Sequence, residues 1–173
     1  RMKRDIPSSP PMVTMDDNEF EDEDEALNPR DRFDPSIINA HPAELLVDMP
    51  THVEQLFAEL TKTLSTKIPD AWWKSNTRKV VFWSPEKVFF SLRISKTGLH
   101  FVTFTDGKAL DGVEQIVQKD QGGALWGRIK LKDVKDLTRI VTALIESHSR
   151  IQLAVKENRA TSWWAMTRKN KAA

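Results

Sequence analysis

The sequence predicts an α+β domain over residues 50–155, an antiparallel β-meander sheet with an N-terminal helix and a C-terminal helix packed on it. Three observations carry that reading. A helical apolar stripe opens the segment, three β-branched and aromatic runs separated by short turn sequences follow, and a second, more regular apolar stripe closes it.

The first helix is expected to start at Thr51, because Thr51 and Glu54 form a T-x-x-E pattern in which each side chain can bond the other's free backbone N–H. Behind it Val53, Leu56, Phe57, Leu60 and Leu64 recur at three- and four-residue steps, and the stripe ends before Pro69. The strand-like runs are Arg78 to Trp83, Val88 to Ile94 and Leu99 to Phe104. They are joined by Ser84-Pro85-Glu86-Lys87 and Ser95-Lys96-Thr97-Gly98, loops short enough to favour antiparallel hairpins over crossovers. After a turn at Asp106-Gly107, Leu110 to Lys119 is expected to form a short helix with Val113, Ile116 and Val117 on its buried side. Ala124 to Lys132 alternates as a strand, with Ile129 and Leu131 on one face and Trp126, Arg128, Lys130 and Lys132 on the other. Asp133 then reads as a helix N-cap, followed by the stripe Val134, Leu137, Ile140, Val141, Leu144 and Ile145. A second helical piece is expected through Leu153 and Val155.

The flanks differ from this domain in composition. Residues 1–49 hold six of the nine prolines and 13 acidic against 5 basic residues, with an almost wholly acidic run from Asp16 to Glu25. Such a segment buries too little apolar surface to offset its ordering entropy, so this acidic arm is expected to be extended on its own. Residues 156–173 form a basic, tryptophan-containing tail with 5 basic residues and 1 acidic residue. The net charge of +1 therefore conceals a division into an acidic arm, a basic domain and a basic tail.

The stretches HVEQLFAELTKTL, KVFFSLRI and GRIKLKDVKDLTRIVTALIESH, in that order, resemble the YdhG-like domains, small bacterial domains at the C-termini of so-called predicted transport proteins. The resemblance covers about residues 52–148, and its most specific part is the final strand, the Asp133 turn and the helix after it. It implies an α+β fold and an accessory role, often beside restriction-type or nuclease-like proteins. It carries over no functional residue, and the arm and tail lie outside it.

Composition narrows the chemistry. With no cysteine there is no disulfide, cysteine nucleophile or thiolate metal site. No apolar run approaches the length that spans a bilayer, and the first residues lack the apolar stretch of a signal peptide, so a cytoplasmic protein is expected. His41, His52, His100 and His148 form no metal-binding pair on one helix face, and they read as surface or helix-terminal residues. Gly122-Gly123 and Asp106-Gly107 are turn glycines without the pattern of a phosphate loop. The sequence thus predicts no catalytic residue, cofactor or metal, and no enzyme.

Two surfaces remain as binding candidates. Trp126, Arg128, Lys130 and Lys132 on one side of a strand, with Arg93 and also Arg78 and Lys96 as extensions if their strands lie near, suit a nucleic-acid backbone beside an aromatic platform. A solvated basic face that blocks aggregation has the same pattern, as does a face for acidic protein partners, and all three readings stand at this point. For protein partners, Trp72 and Trp73 cannot both enter one core along a strand, so one is expected to stand exposed as an anchor. Trp163 and Trp164 in the tail and Phe20, Glu21, Asp22 and Glu23 in the arm complete that set. The preferred expectation is a non-catalytic accessory domain that binds a protein partner or assembles a complex; the alternative is a nucleic-acid-binding module of a restriction or nuclease-type system.

Overall fold

The computed structural model describes residues 29–118 and 122–161. Six strands form one antiparallel sheet: β1 Trp72–Ser75, β2 Val80–Trp83, β3 Val88–Ser95, β4 Gly98–Phe104, β5 Glu114–Gln118 and β6 Gly122–Leu131. Their order is β1-β2-β3-β4-β6-β5, so the first four make the expected meander and β6 inserts between β4 and β5. The α-helices among the described residues are α1 Ala43–Leu46, α2 Thr51–Lys67 and α3 Leu137–Lys156, which places the protein in the α+β class. No helix among the described residues is long and apolar enough to cross a membrane.

One face of the sheet is the main core. Pairing puts Trp73, Phe82, Phe90 and Thr103 in one cross-strand row, and Val80, Leu92, Phe101 and Ile129 in the next. Val53, Leu56, Phe57, Leu60 and Leu64 of α2 and Ile140, Val141, Leu144 and Ile151 of α3 are buried in the same cluster. Phe57 meets Trp73 edge to face at 5.6 Å. A buried polar bridge joins α3 to the sheet: Thr103 Oγ1 donates to Ser147 Oγ at 2.7 Å, and Ser147 Oγ donates to the Phe89 carbonyl at 3.1 Å. Thr103 Oγ1 also reaches the Phe89 carbonyl at 3.2 Å, so Ser147→Ala leaves these two groups paired with each other and is expected to lower unfolding stability by about 0.5–1.5 kcal/mol. Urea denaturation would register it as a lower midpoint at constant slope.

Several local expectations are corrected. The first helix begins at Thr51 as expected, but Pro50 is its N-cap and no side chain caps it. Thr51 is already helical, one position too far in for its hydroxyl to cap, and the Pro50 carbonyl accepts from Val53 and Glu54 instead. The segment read as a helix around Leu110–Lys119 contains strand β5. A bulge between Gln115 and Val117 breaks its alternation, which makes the apolar spacing look helical. Gln115 pins this strand by donating to the Ala124 and Trp126 carbonyls and accepting from Thr105 Oγ1. Asp133 caps as expected, but it caps a 3-10 turn, Val134–Asp136, in which Val134 is exposed, and α3 follows without interruption through Leu153 and Val155. His148 is consequently an interior residue of α3 rather than a terminal one. It is buried, stacked edge-on to Phe89, with Nε2 3.1 Å from Asp70 Oδ1 but not aligned for a hydrogen bond.

The second face is covered at its two ends. Residues 29–49, assigned from composition to the arm, form short helices packed on the domain, with Pro29 and Leu46 buried. Phe33 lies against Trp72 and Trp83 at 6.1 and 6.5 Å, and those two indoles stack at 5.0 Å and 6°. Asn39 closes the outer edge of β1: its N–H donates to the Trp73 carbonyl at 2.7 Å and its Oδ1 accepts from the Trp73 N–H at 2.9 Å. At the other end, Trp126 is 1% exposed, packs edge to face on Phe104, and donates from Nε1 to the Thr161 carbonyl.

Candidate anion-binding face

Between those two covered ends the sheet presents a floor set with cations. Arg93, His100 and Lys130 are register partners across β3, β4 and β6. Lys79 directly precedes Val80, whose partner is Leu92, so it continues this row on the β2 side. The neighbouring row runs Lys74, Val81, Ser91, Val102, Arg128 and Glu114. Lys132 follows Lys130 at the end of β6. With strands about 4.8 Å apart and residues of one face about 7 Å apart along a strand, Arg93, Arg128 and Lys130 project from backbone positions within about 12 Å of one another.

The local sequence fixes this convergence. The tight turn after Ser95 pairs Ser95 with Gly98 and so forces Arg93 opposite His100. A side chain on Gly98, at φ 149°, would lie 2.2 Å from the Leu131 carbonyl oxygen, so glycine is needed for β6 to pass this turn closely. Alternation along β6 then turns Arg128 and Lys130 outward, where both are exposed, while Ile129 and Leu131 are buried.

The electrostatics are those of mutually repelling charges. Burial and the adjacent Arg93 push the Lys79 ammonium down to about 8. His100 is held below its usual value first by burial and then by Lys130, Arg93 and Lys132. Its Nε2 lies 2.8 Å from Ser95 Oγ, which fixes the ring in the row. Among the described residues no carboxylate forms an ion pair with Arg93, Arg128, Lys130 or Lys132, and Glu114 borders the patch opposite Arg128. An anion seated against Arg93, Arg128, Lys130 and Lys132 relieves repulsion that no carboxylate among the described residues offsets.

Of the residues singled out from sequence, Arg93, Arg128, Lys130 and Lys132 come together on this face. Lys96 is exposed in the β3–β4 turn and Arg78 in the β1–β2 turn. Trp126 does not join them as a platform, because its indole is buried against Phe104. Neither Trp72, 0% exposed, nor Trp73, 9% exposed, is an exposed anchor. The two point to opposite faces of β1, and each face is covered, Trp72 by Phe33 and Trp73 by Phe57. Phe20, Glu21, Asp22, Glu23, Trp163 and Trp164 lie outside the described residues. Sequence reading missed His100 and Lys79; the hairpin register, fixed by the turn at Ser95–Gly98, was the signal for His100. No group of three or more His, Asp or Glu side chains among the described residues is arranged to hold a metal ion. No protein-family model, curated protein or solved structure matches this chain.

Proposed function

We infer that this protein is a non-catalytic accessory domain whose cationic sheet face binds a polyanion, with a nucleic-acid phosphate backbone as the best-fitting ligand class. The observation that supports it is the row of Lys79, Arg93, His100 and Lys130 with Arg128 beside it, uncompensated by ion pairing at Arg93, Arg128 and Lys130 within the described residues. Cations spaced at about 5 to 7 Å on a rigid sheet can follow successive phosphates. With Trp126 buried, no aromatic platform among the described residues joins them, and a contact made by these cations alone is to backbone and is sequence-independent. The resemblance of residues 52–148 to domains found beside nuclease-like proteins supports the same reading. The competing reading, an assembly module anchored on protein partners by tryptophan, has less support because Trp72 and Trp73 are core residues.

Fluorescence anisotropy with labelled single- and double-stranded oligonucleotides tests this. Three or four phosphate contacts predict that log K falls against log salt with a slope of about −2 to −4 between about 50 and 200 mM. Absence of binding at the low-salt end, or binding indifferent to salt, overturns it.

The same assay carries a pH prediction. An anion against His100 favours the imidazolium, so binding takes up a proton and affinity rises as the pH falls through 6.5 and below. On the alkaline side Lys79 loses its proton near 8, and affinity drops between about pH 7 and 9. His100→Gln should flatten the acid limb, expected at about three- to tenfold, and leave the alkaline limb in place.

A further inference from the structure

The described chain begins on the cationic face. Phe33 packs on Trp72 and Trp83, and the Lys74 ammonium lies 4.7 Å above the Phe33 ring. Lys74 belongs to the same cross-strand row as Arg128, so Phe33 and the basic residues share one side of the sheet. Three residues, Ala26, Leu27 and Asn28, separate Pro29 from DDNEFEDEDE, residues 16–25, which carries eight carboxylates. Four strand spacings, about 19 Å, separate β1 from β6; Pro29–Arg32 is a fixed 3-10 turn, and the thirteen residue steps from Asp16 to Pro29 span up to about 43 Å when extended.

We propose that residues 16–25 dock on the Arg93–His100–Lys130 face of their own chain and act as a built-in competitor for the polyanion. The charges are complementary, since eight carboxylates meet Arg93, Arg128, Lys130 and Lys132, none of which has an ion-pairing carboxylate among the described residues. Tethering by so short a connection gives the segment an effective concentration on the order of millimolar, so weak individual contacts suffice to occupy the face. A strand of phosphates displaces it by offering a higher charge density, and high salt releases both. The docking rests on the same surface as the function proposed above but does not require that the external ligand be a nucleic acid.

Zero-length carbodiimide cross-linking of the intact chain at low protein concentration, read by peptide mass spectrometry, tests the docking directly. The expected result is intramolecular links from carboxylates of residues 16–25 to Lys130 and Lys132, lost at about 0.5 M salt, where screening is nearly complete. Links spread equally over Lys62 and Lys67 of α2, in the helical layer behind the sheet, would overturn it. A second arm uses the full-length variant Glu21→Gln, Asp22→Asn, Glu23→Gln, Asp24→Asn, Glu25→Gln, which should bind a labelled oligonucleotide about tenfold more tightly than the parent at low salt. Equal oligonucleotide affinity in parent and variant, without the cross-links, sinks the docking and leaves the polyanion reading standing. Cross-links to Lys130 and Lys132 that no oligonucleotide displaces uphold the docking and sink the nucleic-acid reading.

Discussion

Reversing two charges, Arg93→Glu together with Lys130→Glu, is expected to weaken oligonucleotide binding by more than about a hundredfold at moderate salt. Each reversal changes the local charge by two units, and a unit charge at about 4 Å is worth about 1 kcal/mol even in water. The four units together therefore approach 4 kcal/mol before screening, which removes part of it. Both side chains are exposed, and the substitutions touch no core residue, so the fold should hold to within about 0.5 kcal/mol. Thermal unfolding of the variant is thus the control that separates a lost surface from a lost structure. Reversing Lys62 and Lys67 on α2 instead, an equal change in net charge on the opposite layer, should leave binding nearly unchanged. Equal weakening by both pairs would mean that net charge, not this face, governs association.

The largest effect on stability is expected at Trp72. Its indole stacks on Trp83 at 5.0 Å, lies against Phe33, and donates from Nε1 to the Pro85 carbonyl at 3.0 Å. Trp72→Ala removes all three contacts and opens a cavity, for an expected loss of about 3–5 kcal/mol in denaturant unfolding. Trp72→Phe keeps an aromatic ring and loses the hydrogen bond, so a smaller loss of about 1–2 kcal/mol is expected. Because Trp72 holds Phe33, the alanine change should also free residues 29–38 from the sheet, visible as raised amide exchange there before global unfolding. A Trp72→Ala variant as stable as the parent would return this residue to the role of an anchor for something else.

Helices α2 and α3 and strands β2 to β4 were legible because their signals are local. A stripe such as Leu137, Ile140, Val141, Leu144 needs only the helical period, and a hairpin needs only a short turn between two β-branched runs. What failed depended on distant chain. Adjacent tryptophans looked incompatible with one core, and the resolution is that β1 has two covered faces, the second supplied by Phe33 from a segment whose prolines and acids disguised it. Strand β5 was hidden by its bulge and by its dependence on β6, which follows it in sequence. Half of the candidate face was legible as the alternation Arg128, Lys130, Lys132. The other half required knowing that β4 lies between β3 and β6, which sets His100 between Arg93 and Lys130. Trp126 showed the limit of alternation: it shares a side with Arg128, but the chain at Thr161 covers that end of the sheet.

The contact between Asn39 and Trp73 sets how this sheet can meet another. Only residues whose N–H and C=O point away from β2 could receive a further strand at β1, and in a four-residue strand Asn39 already occupies both groups of Trp73. That stopper leaves the β5 side as the route for strand addition. A sheet that can extend in one direction pairs once, edge to edge with a second copy, and then has nothing left to offer. Self-association through backbone pairing of the described strands is therefore self-limiting, ending at a two-fold dimer instead of running on as a filament.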